Sequence, residues 1–276
     1  MNISYHSWKD YTECPKKYLL KDKLWQNPPV PPNEYFTIYG KLTEKFFQMY
    51  CNLWRFHLPY MLPEDIKFKL DILYKELLPT LQINWDAPFA KETKEDIFNQ
   101  SCADVCAIMN SHNQNYFLNS RSETKIEIAT KDDVNITGRI DFIHKDPMGN
   151  GVTVFDGKGT TELGKNVSDD QLHFYALLYF LHFKVLPENL GFFYYRFNTY
   201  KPVEVSMSLV NEIRARLSIS VKQIKDEKFV ATPSHKSCKY CDYQTTCEEC
   251  IGDRVKRKRP SKLDTMDLTG LINLGG

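Results

Sequence analysis

The chain has 276 residues, 42% hydrophobic and 13% aromatic, enough to bury a sizeable core as one large domain or as a domain with an insertion. Its 36 basic and 35 acidic residues leave a formal net charge of +1, which excludes a global field that would gather nucleic acid; a local groove must supply any attraction for phosphate. No apolar run approaches the length of a membrane span and the opening Met1-Asn-Ile-Ser-Tyr5 has no signal-peptide core, so a soluble, cytoplasmic protein without membrane contact is expected.

In chain order, residues 4–23 read as mostly helix, and the prolines of 27–32 lie beyond its end because they deny helix hydrogen bonds. Residues 34–56 form a long aromatic-rich helix, with Tyr35, Tyr39, Leu42, Phe46, Met49 and Leu53 near helical spacing. Two more helices, 63–81 and 91–110, separated by Trp85-Asp-Ala-Pro88, make a helical insertion of about 60–112 before the sheet. A strand over 122–129 follows, then β-branched strands over 134–143 and 152–156, with Asp146-Pro-Met-Gly-Asn-Gly151 as the hairpin turn between them. Ser168-Asp-Asp170 opens a helix over 168–183 in the manner of an N-cap. Residues 190–197 and 202–207 pair as a further hairpin, and an amphipathic helix over 209–226 leads into a cysteine-rich segment. After Cys250 the chain changes character: Arg254-Val-Lys-Arg-Lys-Arg259 carries five cations in six residues, and 253–276 reads as a basic, disordered tail.

Three short motifs carry chemistry: Gly138-Arg-Ile-Asp141 at the end of one strand, Asp156-Gly157-Lys158 at the end of the next, and Gln171-Leu-His-Phe-Tyr175 on the helix that follows. Antiparallel strands joined by the hairpin can set Asp141 and Asp156 opposite one another. Two carboxylates with a lysine two residues beyond the second can hold a hard divalent cation beside a cationic side chain, which suits phosphodiester hydrolysis. Gln171 and Tyr175, four apart on a helix, share a face, whereas His173 lies off it.

The eight cysteines are not expected to form structural disulfides. Cys51, Cys102 and Cys106 fall in helical, partly apolar stretches and read as core-filling residues. Cys238-x2-Cys241-x5-Cys247, with Cys250 three residues on, is spaced for thiolates to converge on one centre, either zinc or iron–sulfur.

Together the motifs resemble the PD-(D/E)xK nuclease superfamily, and within it the RecB-like branch that includes the CRISPR-associated exonucleases and the nuclease domain of AddB. That resemblance implies an α/β fold, a restriction-endonuclease-like mixed central sheet flanked by helices, with a helical insertion and a C-terminal cysteine-rich segment, in one nuclease domain over 1–252. It implies a metal-dependent DNA exonuclease acting on single strands or DNA ends in recombination, repair, replication or CRISPR adaptation, with protein partners in those processes. Asp141, Asp156, Lys158, Gln171 and Tyr175 become the catalytic residues, and Asp141, Asp156 and the Gly157 carbonyl ligands for Mg²⁺ or Mn²⁺. Where many relatives carry G-x-x-x-H, this chain has Gly40-Lys-Leu-Thr-Glu44, which places Glu44 at the histidine ligand's position. Glu123 is a further acidic candidate in a supporting role. Trp8-Lys-Asp-Tyr11-Thr-Glu-Cys14-Pro15-Lys-Lys-Tyr18 is similar to the opening of the branch's iron–sulfur members, so Cys14, Cys238, Cys241 and Cys247 are implied to hold a [4Fe–4S] cluster. The zinc alternative takes Cys238, Cys241, Cys247 and Cys250 instead. A non-catalytic DNA-binding or assembly subunit that keeps the fold is the alternative function, and Glu44 in place of histidine is its support.

Overall fold

The computed structural model describes residues 1–24, 27–28, 33–54, 61–88, 90–130, 133–149, 151–164, 167–239 and 241–251. The expected tail over 253–276, with its basic run at 254–259, lies outside the described residues. Strand β1 (Asn2–Ile3) leads into α1 (Tyr5–Glu13), which starts at a reciprocal cap between Ser4 and Ser7, and α2 (Pro15–Tyr18) follows with proline at its first position. Helices α3 (Ile38–Trp54), α4 (Pro63–Leu77) and α5 (Lys94–Met109) precede the main strands. These are β2 (Ser120–Ala129), β3 (Asn135–Lys145) and β4 (Val152–Lys158). Then come α6 (Asp169–Phe183), β5 (Asn189–Tyr194), β6 (Thr199–Val203), α7 (Met207–Lys225) and α8 (His235–Lys239).

The six strands form one mixed sheet in the order β1-β3-β4-β5-β6, with β2 also on β3. β2 is antiparallel to β3 along most of its length, while β1 (parallel) and β4 (antiparallel) pair with opposite ends of β3. β4 and β5 are parallel, so α6 is the crossover between them, and its first turn follows shortly after the C-terminal end of β4. β5 and β6 close the sheet as an antiparallel hairpin.

Alternation along β4 divides the core. Val154 joins α1, α6 and α7 through Trp8, Phe174, Leu178 and Leu217, whereas Phe155 joins α3, α4 and α5 through Phe46, Leu70 and Val105. Helices thus cover both faces of the sheet, as the α/β expectation requires. The first layer is tied across the chain: Trp8 Nε1 donates to Ser220 Oγ (3.1 Å), Tyr11 Oη to the Lys228 carbonyl (3.0 Å) and Thr232 Oγ1 to the Glu13 carbonyl (3.0 Å). Cys51 is buried with its thiol 3.2 Å from the Phe117 carbonyl, and Cys102 and Cys106 pack against the second layer, so these three fill core as expected. Among the described residues no helix is long and apolar enough to cross a membrane.

Several boundaries depart from the sequence reading. Residues 19–23 form a π-helical turn, and 34–36 and 78–80 are 3₁₀ turns rather than parts of α-helices. The expected strand over 190–197 stops at Tyr194, because Tyr195–Phe197 coil into a 3₁₀ turn that ends on left-handed Asn198 (φ 44°). The partner strand accordingly starts early, at Thr199, and ends at Val203 instead of residue 207.

Candidate active site

The β3–β4 hairpin turns through Gly149 (φ 85°) and Gly151 (φ 98°), conformations that glycine adopts without strain. Its ladder pairs Phe142 with Phe155, and their rings stack 4.9 Å apart. One step further along each strand come Asp141 and Asp156, and the Gly157 N–H donates to Asp141 Oδ2 at 3.2 Å. The β2–β3 ladder pairs Ser122 with Phe142 and Thr124 with Ile140 but omits Glu123 and Asp141 between them. Glu123 there takes a left-handed backbone (φ 49°) and pairs with Arg139 at 3.0 Å.

Asp156 is 2% exposed. Gln171 Nε2 donates to its Oδ1 (2.6 Å), while Lys158 Nζ lies 2.5 Å from its Oδ2 and donates to Gln171 Oε1 (3.1 Å). Gln171 stands in the first turn of α6, so the βαβ connection itself delivers this amide to the end of β4. Its Nε2 also lies 3.2 Å from the Tyr175 hydroxyl, one turn along. Burial, then the charges of Asp141 and Asp156, push the Tyr175 phenol well above its ordinary value. His173 points elsewhere, with Nε2 3.0 Å from the Glu204 carbonyl.

Glu44 arrives from α3. Gly40 of that helix sits against Gly159, just past β4, and it is Gly159 that has no room for a side chain: a Cβ there would stand 2.6 Å from the Gly40 Cα. One turn on, Glu44 faces the aspartates and accepts from Gln48 Nε2 at 2.7 Å. Its carboxyl is pushed up to about 7, first by burial, then by Asp156 and Glu123, against a smaller opposing pull from Lys158. Asp141 is raised by burial first and then by Asp156 and Glu44. Asp141, Asp156, Gly157, Lys158, Gln171, Tyr175 and Glu44 are therefore brought into one place.

Three carboxylates and a strand-end carbonyl are hard oxygen donors, and they crowd more negative charge than the adjacent Lys158 offsets. Asp156 Oδ2 is buried and accepts no well-directed hydrogen bond among the described residues. That chemistry fits a hard divalent cation. As the side chains stand, however, no three His, Cys, Asp or Glu among the described residues are placed to hold a metal ion. In this arrangement Gln48 holds Glu44, and Lys158 and Gln171 hold Asp156.

The second cysteine group is a separate feature. Cys14, between α1 and α2, lines one pocket with Cys238, Cys241, Cys247 and Cys250. Successive turns bring the C-terminal four round, with Cys241 N–H donating to the Cys238 carbonyl (3.2 Å) and Cys250 N–H to the Cys247 carbonyl (3.3 Å). No disulfide forms, and burial pushes the Cys241 and Cys247 thiols up, with a further contribution from Cys14. The donor set suits a soft metal, and since the pocket gathers all five thiols it does not separate the two ligand sets.

Two residues at the site have no sequence signal. Gln48 is one of many polar residues on α3, and Tyr195 reads as a strand aromatic. The Tyr195 ring is 1% exposed and stacks on Phe47 (5.6 Å), and its hydroxyl presses on Gly157, where a Cβ would stand 1.9 Å from it.

Comparison with known proteins adds one assignment. A sequence model of the PD-(D/E)XK nuclease superfamily matches residues 2–248. A solved structure, described as the crystal structure of SSO0001, aligns with 90% of this chain and 85% of its own at 15% identity and a TM-score of 0.37. No curated protein matches the chain.

Proposed function

Because the chain belongs to the PD-(D/E)XK nuclease superfamily, whose members are phosphodiester hydrolases that usually use Mg²⁺ or Mn²⁺, we propose that it is a metal-dependent DNA exonuclease of RecB-like type, acting on single strands or DNA ends. The observation that carries this reading is the joined group of Asp156, Lys158 and Gln171 beside Asp141 and Glu44. In it, Asp141, Asp156, Glu44 and the Gly157 carbonyl would hold the cation. When bound, the cation supplies Lewis acidity at the phosphate and a lowered pKa for water. Lys158 orients the attacking water and offsets charge that develops on the phosphate oxygens. Gln171, hydrogen-bonded to both Lys158 and Asp156, keeps those two groups in register, and Tyr175 holds Gln171.

The test is hydrolysis of end-labelled single- and double-stranded DNA with Mg²⁺ or Mn²⁺ by anaerobically purified protein, with Asp156→Ala as the control. Metal-dependent shortening from an end, absent in the variant, is the expected result. Hydrolysis by Asp156→Ala equal to wild type would remove the mechanism, and DNA binding without hydrolysis would favour a non-catalytic subunit.

The reading extends to a [4Fe–4S] cluster on Cys14, Cys238, Cys241 and Cys247. Its support is that the first helical pair brings Cys14 to the pocket of the C-terminal cysteines. The cluster is structural in this reading, a tether between segments 224 residues apart (238 − 14), which removes conformational freedom from the unfolded chain. Placement in recombination, repair, replication or CRISPR adaptation, with the partners those processes entail, follows from the same RecB-like reading.

A further inference from the structure

Tyr195 sets its hydroxyl in an unusual place. The residue opens the turn after β5, its ring is fixed by Phe47, Phe117 and Phe193, and it is buried completely. Among the described residues its hydroxyl has no hydrogen-bond partner. A buried phenol that donates to nothing is costly, so such a group calls for an acceptor within reach. It lies against Gly157, between Asp156 and Lys158, and explains why the middle residue of this D-x-K strand is glycine: any side chain there would collide with the phenol. Its ring stacks on Phe47 while Gly40 of the same helix meets Gly159, so the stretch of α3 that carries Glu44, between those two contacts, runs beside Gly157 and the phenol.

Glu44 is also the carboxylate with a competing hold. Gln48, four residues along the same helix, donates to it at 2.7 Å on the outer side. Gln48 is half-buried and lines a groove with Glu44, Lys41, Lys45, Glu123 and Arg139. Glu44 thus has one donor drawing it toward this groove, while an unused donor lies against Gly157.

We propose that Tyr195 is a positioning residue whose hydroxyl donates to the Glu44 carboxylate, drawing it from Gln48 toward Asp141 and Asp156 to complete an oxygen-ligand set for a divalent cation. The inference rests on the metal-dependent nuclease reading for the identity of the site, but it concerns how that site closes and can be tested without turnover. Gln48 and Tyr195 act as opposed donors on one carboxylate, so changing them has opposite effects on metal affinity.

The experiment is titration of Mn²⁺ into purified full-length protein, followed by the electron paramagnetic resonance of free Mn²⁺, with a thermal melt of each variant in metal-free buffer. Tyr195→Phe, which keeps the ring, is expected to weaken Mn²⁺ binding roughly tenfold, the size of one hydrogen bond of ordinary net strength. Gln48→Ala is expected to leave binding as tight as wild type or tighter. In a Glu44→Ala background, Tyr195→Phe is expected to change nothing further. A residue that only supports the fold would weaken binding in both backgrounds and lower the melting temperature alike. Wild-type Mn²⁺ affinity in Tyr195→Phe would overturn the proposal, as would an equal loss in the Glu44→Ala background. If Tyr195→Phe does not fold, Gln48→Ala decides: weaker binding there means that Gln48, not Tyr195, sets the working position of Glu44. Wild-type protein that binds no Mn²⁺ would also overturn it. Wild-type protein that binds Mn²⁺ with the expected pattern but cleaves no DNA would sink the nuclease reading and leave this one standing.

Discussion

Gly40 and Gly159 meet backbone to backbone, and the contact is asymmetric. A Cβ on Gly159 would stand 2.6 Å from the Gly40 Cα, whereas a Cβ on Gly40 finds its nearest neighbour at 3.6 Å, an ordinary contact. Gly159→Ala must therefore lift α3 from the end of β4 and carry Glu44 away from the aspartates, with at least about a tenfold loss of Mg²⁺-dependent cleavage. Gly40→Ala should instead be tolerated and raise stability by about 0.5–1 kcal/mol, since glycine within a helix is unfavourable. Cleavage assays and thermal melts on the two variants check both halves.

Lys158→Ala and Asp156→Ala should each lower cleavage by at least about a hundredfold, the scale of removing one preorganised charge-stabilising group. Lys158→Ala also leaves Asp156 buried with Gln171 as its remaining donor, so a modest fall in melting temperature accompanies the lost activity. Single-turnover rates measured beside melting curves separate the two effects.

Glu44 gives a pH dependence whose sign can be worked out. Its carboxyl is near 4.5 in the unfolded chain and about 7 in the fold, so its contribution to stability is fully present below about 4.5 and is lost as pH rises through about 7. In metal-free buffer Glu44→Gln should therefore be more stable than wild type at pH 8, by ~3 kcal/mol, and nearly equal to it at pH 4.5. Metal binding, which needs the ionised carboxylate, should strengthen in wild type across the same range. Denaturant melts at the two pH values and a Mn²⁺ titration against pH test these expectations.

The cysteines separate two metals. A cluster on Cys14, Cys238, Cys241 and Cys247 makes the protein brown, with iron and sulfide in roughly equal amounts, and makes Cys14→Ser bleached and unstable while Cys250→Ser is mild. Zinc on the C-terminal four predicts colourless protein, a dispensable Cys14 and an essential Cys250. Metal analysis of the two variants chooses between them.

What could be read from the sequence was mostly local. The hairpin that aligns Asp141 with Asp156, and the βαβ connection that returns Gln171 to Lys158, both lie within 138–175, where strand periodicity and turn residues carry the geometry. Glu44 is legible only through the resemblance of Gly40-x3-Glu44 to the G-x-x-x-H motif. Tyr195 and Gln48 were missed because what sets them apart is a contact with Gly157 in one case and with Glu44 in the other, and no pattern in their own neighbourhoods reports either. The strand that should have continued through Tyr195 fails for a related reason. Its apolar run Phe192-Phe193-Tyr194-Tyr195 favours extension, but burial against Phe47 and the left-handed Asn198 turn it into a 3₁₀ coil. Glu123 sits in a strand by pattern, yet its left-handed backbone is the kind of local strain that surrounding structure must impose.

The ties from α1 to the C-terminal part of the chain, Trp8 to Ser220 and Tyr11 to Lys228, bear on how the protein is made. More than two hundred residues separate these partners, so α1 leaves the ribosome long before the helix it rests on exists. At roughly 5–20 residues per second the wait is on the order of ten to forty seconds. Over that time Trp8, Tyr11 and Tyr18, all buried in the finished fold, have neither α7 nor Phe229 to cover them. A segment made early is thus among the last to be secured, because the contacts that hold it are non-local ones that form only when their distant partners exist.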